Sequence, residues 1–374
     1  MNISKSALKS EEKAVFALRS IYDKYGYSQY KMSKFEEYDL YVRNKDFLTS
    51  DSVITFTDTN GKLLALKPDV TFSIIKDSKD KEGYIQKLYY NENVYRVSQT
   101  THSFKEIMQV GLECIGDIDD YCLYEVLLLA VKSLKSISKS AVLDISHMGI
   151  ISSIMDSLEL SKSQSNEILK YIGQKNSHQL ASALEKYAPE NENAQLLMEL
   201  VGIYGKTDEA LSRLEQLLTG TVAEDAFYQL KTVLSAFDGS DFKKLLRIDF
   251  SVINDLKYYN GIIFKGFIEG IPASVLSGGQ YDKLMKKMKR KSGAVGFAVY
   301  LDMLERFGGE QSEYDVDTLV IYSADSDLNS VKSVTEKYAA EGSVLALKNP
   351  DKKLKYKTLV EINGDEVKVI EKNA

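Results

Sequence analysis

The sequence predicts an α+β protein, with an antiparallel sheet flanked by helices, a helical insertion, and a small α/β module at the C-terminal end. Three observations carry this. Alternating apolar and β-branched stretches recur between residues 53 and 145 and again between 262 and 276. From about 152 to 240 that alternation gives way to leucines at helical spacing, such as Leu211, Leu214, Leu217 and Leu218. After the polar stretch Gly308 to Asp315, a strand and helix pattern starts afresh.

Element by element, a helix begins at Ser10, with Val15, Leu18, Tyr22 and Tyr25 on one face and Gly26 as its C-cap. A hairpin follows: Val53 to Thr57, a two-residue turn at Asn60-Gly61, and Leu63 to Leu66. Lys67-Pro68-Asp69 breaks the strand, and Thr71 to Ile75 starts a helix. Strands are predicted at Gln86 to Tyr90, Val94 to Val97, Ile107 to Ile115 and Ala141 to Ile145, with a polar loop at Ser98 to Ser103 and a helix at Tyr121 to Leu134. After the insertion come strands at Ile262 to Ile268 and Ala273 to Leu276, and a loop at Ser277-Gly278-Gly279. A short helix around Tyr281 to Met288 leads to the small apolar stretch Gly293 to Ala298 and a helix from Tyr300 to Arg306. The final module reads as strand (Leu319 to Tyr322), helix (Leu328 to Ala340) and short strands at Val344, Thr358 and Val367. The expected domains are a core over 1–310 and a module over 316–374.

Composition narrows the class. The 374 residues are 44% hydrophobic and 27% charged, which suits a globular chain of two or three domains. A net charge of −6 argues against a surface built for a phosphate backbone, and the one dense basic run, Lys286 to Lys291, reads as a solvated loop. Two cysteines, Cys114 and Cys122, make neither a disulfide framework nor a zinc site, so no metal or cofactor is expected. The start Met-Asn-Ile-Ser-Lys-Ser lacks the apolar core of a signal peptide, and Val126 to Val131 is too short to span a bilayer. A cytoplasmic protein without membrane attachment is expected.

Five segments, in order, resemble histidyl-tRNA synthetase, a class II aminoacyl-tRNA synthetase, over roughly residues 10 to 307. Leu66-Lys67-Pro68-Asp69-Val70-Thr71 is similar to that family's Arg-Pro-Glu-Gly-Thr turn. Val94-Tyr95-Arg96 followed by Gln109 to Gly116 is similar to class II motif 2. Leu256 to Gly261 resembles the histidine-specific Leu-Asp-Tyr-Tyr-Thr-Gly segment, Gly278 to Asp282 its Gly-Gly-Arg-Tyr-Asp companion, and Ala294 to Leu304 motif 3. Each piece alone is weak, whereas five in order are specific. By this resemblance Asp69, Thr71 and Gln109 would hold an amino group, and Glu113, Tyr259 and Tyr281 would line the imidazole side of a histidine.

The chemistry of adenylate formation fits poorly. It needs cations preorganised around developing phosphate charge. Arg96 stands where motif 2 places its phosphate-binding arginine, but the acidic companion two residues on is Ser98. The resemblance puts Asn254 in place of an arginine, Lys257 in place of an aspartate, Gln280 in place of another arginine, and Met303 where motif 3 supplies a cation for the nucleotide. Arg306 lies three residues beyond. Losing one preorganised cation lowers a rate by ~10²–10³, so no catalytic residue is assigned and synthetase activity is not expected.

A histidyl-type frame with its amino-acid pocket kept and its ATP site broken is similar to the ATP phosphoribosyltransferase regulatory subunit family. That resemblance implies a non-catalytic homodimeric core, a short-form catalytic partner acting at the first step of histidine biosynthesis, and histidine as an effector. The last module begins like a shortened anticodon-binding domain, and its lysines are nearly balanced by acids such as Asp317, Asp325 and Glu336, so tRNA is not expected as a partner. Two alternatives stay open from sequence: a divergent histidyl-tRNA synthetase, and a stand-alone histidine- or tRNA-binding paralogue.

Overall fold

The computed structural model of the protein describes residues 10–44, 53–97, 103–253, 258–308, 314–350, 353–364 and 366–372. The chain divides into two compact units, Met1–Gly308 and Gly309–Ala374.

In the first unit, α1 (Ser10–Lys24) buries Val15, Leu18 and Tyr22 along one face and stops at Gly26, whose φ of 79° is open to glycine without a Cβ clash. The main sheet has nine strands in the order β1 (Ser28–Gln29), β5 (Ile85–Val97), β6 (Phe104–Gly116), β12 (Gly293–Tyr300), β11 (Leu276–Gln280), β10 (Ile262–Ile268), β7 (Ala141–His147), β9 (Leu246–Asp249) and β8 (Tyr204–Lys206). From β5 to β7 every pairing is antiparallel, and β1 and β9 add parallel pairings toward the edges. The sheet is therefore mixed, with the expected antiparallel part at its centre.

Strand alternation splits the sheet into two faces. Leu112, Phe297, Gly278, Phe264 and Ile145 pair across one face, where Phe264 and Phe297 stack edge to face 6.2 Å apart. This face is covered by α4 (Asp120–Ile137), which starts where the Asp119 carboxylate accepts the Cys122 N–H at 2.8 Å. The opposite face presents Glu113, Gly296, Gly279 and Ile263 in one row and Gly111, Ala298, Ser277 and Lys265 in the next. Beside it sits a smaller sheet, β2 (Phe35–Glu37), β4 (Leu63–Leu66) and β3 (Thr55–Thr57), followed by α3 (Thr71–Asp77).

Four expectations need correction. The two strands expected at Gln86 to Tyr90 and Val94 to Val97 are one, β5, because Asn91, Glu92 and Asn93 pair in register with Val110, Gln109 and Met108 of β6 despite their polarity. The hairpin turn is longer than two residues, running from Asp58 to Lys62, with the Asp58 carboxylate accepting the N–H groups of Asn60 and Lys62. Ser277-Gly278-Gly279 is not a loop but the centre of β11, which starts at Leu276 rather than Ala273. The insertion carries α6 to α10 between Lys162 and Ser235, as the leucine spacing predicts, and also β8, which joins the main sheet.

The second unit has a four-stranded sheet in the order β14 (Val344–Leu347), β13 (Val316–Tyr322), β15 (Tyr356–Asn363) and β16 (Glu366–Lys372), with α13 (Leu328–Ala339) packed on it. Its first three strands are parallel and β16 is antiparallel to β15.

Candidate functional site

The site is built on the open face of the main sheet around Glu113. Its carboxylate is buried and accepts two hydroxyl hydrogen bonds, from Thr71 at 2.8 Å and from Tyr281 at 2.6 Å. Thr71 is the first residue of α3 and Tyr281 immediately precedes α11 (Asp282–Lys287), so two helix starts converge on one strand. Burial pushes the Glu113 carboxyl up to about 8, against the two hydroxyl donors, which lower it. Asp69 stands beside it at the start of α3, accepting the Phe72 N–H at 3.2 Å. Burial raises its carboxyl too, and the Arg96 guanidinium opposes that rise.

Three tyrosines surround Glu113. The rings of Tyr258 and Tyr259 lie 4.5 Å apart, and Tyr258 lies 5.8 Å from Tyr281. Burial, then the neighbouring acids and phenols, holds the hydroxyls of Tyr258, Tyr259 and Tyr281 well above their usual range. At neutral pH these groups stay protonated and can donate or accept. Two acidic groups among hydroxyls suit a small ligand that brings several N–H donors.

Glycines make room for this arrangement. A Cβ on Gly296 would fall inside the Glu113 carboxylate, one on Gly111 would strike the Tyr90 hydroxyl, and one on Gly279 would meet the Tyr259 ring. Each glycine lies within a central strand, where it marks a close approach. Behind the pocket Asp282 ties the loops together. It accepts from Asn260 at 2.9 Å, Gln280 at 2.8 Å and the Ala294 N–H at 2.9 Å, and its own N–H donates to Asn260.

Of the residues named from sequence, Thr71, Glu113 and Tyr281 are joined by hydrogen bonds, and Tyr259 and Asp69 border them. Gln109 is buried on the same face of β6, four residues before Glu113. Arg96 is held at the rim, where its Nε donates to the Pro68 carbonyl at 3.0 Å. Met303, on α12 (Leu301–Gly308), packs against the main hydrophobic core instead of offering a cation. Gln280 turns to Asp282. Ser98, Asn254, Lys257 and the Arg306 side chain lie outside the described residues.

Sequence reasoning missed Tyr90, Tyr258, Tyr300, Asp282 and the buried Lys67–Glu92 ion pair, closed at 2.5 Å. The available signal was the set of glycines inside strongly apolar strands, which announce that a side chain from elsewhere comes close. Among the described residues no helix is long and apolar enough to cross a membrane, and no group of three or more His, Cys, Asp or Glu is placed to hold a metal ion.

A family model for histidyl-tRNA synthetase matches residues 2–304. An ATP phosphoribosyltransferase regulatory subunit from Caldanaerobacter subterraneus subsp. tengcongensis is 32% identical over 289 residues, 76% of this chain and 75% of that protein. The chain belongs to the ATP phosphoribosyltransferase regulatory subunit family, built on the histidyl-tRNA synthetase fold. Solved structures agree on the fold of this regulatory-subunit family. The ATP phosphoribosyltransferase regulatory subunit/histidyl-tRNA synthetase from Bacillus halodurans C has a TM-score of 0.76 at 19% identity, covering 97% of this chain and 100% of that one. A chain of the ATP phosphoribosyl transferase (HisG:HisZ) complex from Thermotoga maritima has a TM-score of 0.61 at 19% identity, covering 80% of this chain and 98% of that one.

Proposed function

We propose that this chain is the non-catalytic regulatory subunit of an ATP phosphoribosyltransferase, required by a short catalytic subunit for the first step of histidine biosynthesis. In this reading a homodimeric core binds the catalytic partner in the cytoplasm, and histidine in the Glu113 pocket reports the level of the end product. Asp69, Thr71 and Gln109 face the amino group, Glu113, Tyr259 and Tyr281 face the imidazole, and Arg96 is the remnant of a phosphate site.

One observation carries the reading: a buried carboxylate held by two hydroxyls is intact while Met303, at the place of the nucleotide cation, is half-buried and packed against the core. The first property suits binding of a histidine. The second removes a group that adenylate formation needs. Regulation then requires histidine to bind two states of the complex with different affinity, and the coupling must be reciprocal.

The test mixes the full chain with a short catalytic ATP phosphoribosyltransferase subunit and measures phosphoribosyl transfer to ATP, with and without histidine. Transfer that depends on this chain and falls with histidine is expected. No complex and no change in rate refutes the reading, as does histidine-dependent exchange of pyrophosphate into ATP by this chain alone.

A further inference from the structure

The open face of the sheet is floored with small residues. Gly111, Ala298 and Ser277 pair across one row, and Gly296 and Gly279 lie in the row beside Glu113. Tyr300 is the large exception. It ends β12 directly opposite Gln109, and its hydroxyl lies 2.6 Å from the Ser277 Oγ. Ser277 pairs with Ala298, so this contact runs diagonally between neighbouring strands, a distance of about 7–8 Å that an aromatic side chain can bridge. The ring is thus tethered at its far end and lies across the floor next to Ala298. Its hydroxyl is near enough to those of Tyr90 and Tyr259 to help keep both protonated.

The position matters because of what lies on either side. Glu113 and its two hydroxyl donors mark one end of the face. Along β5, Glu92 faces Gln109 and Arg96 faces Lys105, four and eight residue pairs from the Leu88–Glu113 pair. By strand register, the row of Glu92, Gln109 and Tyr300 lies between the row of Glu113 and that of Arg96. In that row a tethered phenol covers the floor, where the neighbouring rows carry glycine, alanine and serine.

We propose that Tyr300 sets the size limit of the pocket, admitting a free amino acid and excluding an amino acid whose carboxylate is joined to a nucleotide. This rests on the amino-acid-binding reading of the Glu113 end. It assigns the loss of nucleotide binding to two independent features, the missing cation at Met303 and a floor filled by Tyr300. It also makes Tyr300 a specificity-determining residue, since the ring discriminates by shape and leaves the Glu113 contacts untouched.

The test is titration calorimetry on the full chain with two probes, L-histidine and the non-hydrolysable histidyl-sulfamoyl-adenosine. The wild-type chain is expected to prefer histidine by about 100-fold, within the range that steric exclusion achieves. Tyr300→Ala is expected to bind the nucleotide probe about tenfold or more tighter than wild type. Tyr300→Phe and Ser277→Ala each break the tether but keep the ring, and both are expected to give a smaller gain than Tyr300→Ala, which preserves the test should Tyr300→Ala fold poorly. Equal binding of both probes by the wild-type chain overturns the proposal, as does the absence of any gain in both Tyr300→Ala and Ser277→Ala. A wild-type chain that ignores histidine while Tyr300→Ala gains the nucleotide probe sinks the sensing role and leaves the size limit standing.

Discussion

Replacing Glu113 by glutamine should flatten the dependence of stability on pH. The carboxyl is raised from 4.5 to about 8, with burial the largest cause. Between those values the folded chain keeps a proton that the unfolded chain has released, so stability falls as pH rises through the window and the loss is complete above about 8. At about 1.4 kcal/mol for each tenfold change in proton affinity, the upper bound on that loss is about 5 kcal/mol. Water entry and relaxation around the ionised group bring the expected value to about 2–3 kcal/mol. Asp69 is shifted in the same direction, but it is present in both proteins, so the difference between their profiles isolates Glu113. The assay is thermal unfolding of ligand-free protein from pH 5.5 to 8.5, where wild type should lose about 5 °C relative to Glu113→Gln. Parallel profiles would refute the argument that burial of this carboxyl dominates the site's electrostatics. Histidine, by placing N–H donors against the carboxylate, should shrink the wild-type loss.

Other expectations follow from the same geometry. Gly296→Ala places a methyl where the Glu113 carboxylate lies; it should destabilise by about 1–3 kcal/mol and weaken histidine binding by calorimetry, and unchanged affinity would place histidine elsewhere. Lys67→Met leaves Glu92 without its buried partner and should lower stability to chemical denaturation by about 3 kcal/mol, much of it recovered by adding Glu92→Gln; an equal loss in the double variant would show that packing rather than charge is at stake. Tyr281→Phe removes the 2.6 Å donor to Glu113 and should weaken histidine binding about tenfold, the equivalent of one hydrogen bond. Met303→Arg should fail to produce histidine-dependent pyrophosphate exchange, because the floor by Tyr300 remains filled; measurable exchange would show that the cation alone was missing.

Much of the fold was legible because local pattern is strong where one face of an element is buried. The leucine spacing of the insertion, the alternation in β6 and β10 and the helix α4 all lie where expected. The misplacements have a common cause. Asn91 to Asn93 and Ser277 to Gly279 carry residue types that favour loops, yet each is held in a ladder by neighbouring strands, so tertiary pairing overrides local preference.

The sequence by itself determined the order of the motifs and the absence of residue types that adenylate chemistry requires, since no arrangement of the backbone turns Met303 into a cation. Only the tertiary structure decided what surrounds Glu113. Its two hydroxyl partners stand 42 and 168 residues away, and the glycines that admit the pocket side chains matter only once strand register sets them beside Tyr90, Tyr259 and Glu113. The raised carboxyl and the tethered Tyr300 depend on burial and on cross-strand contact, properties that belong to the assembled sheet and to no single segment of the chain.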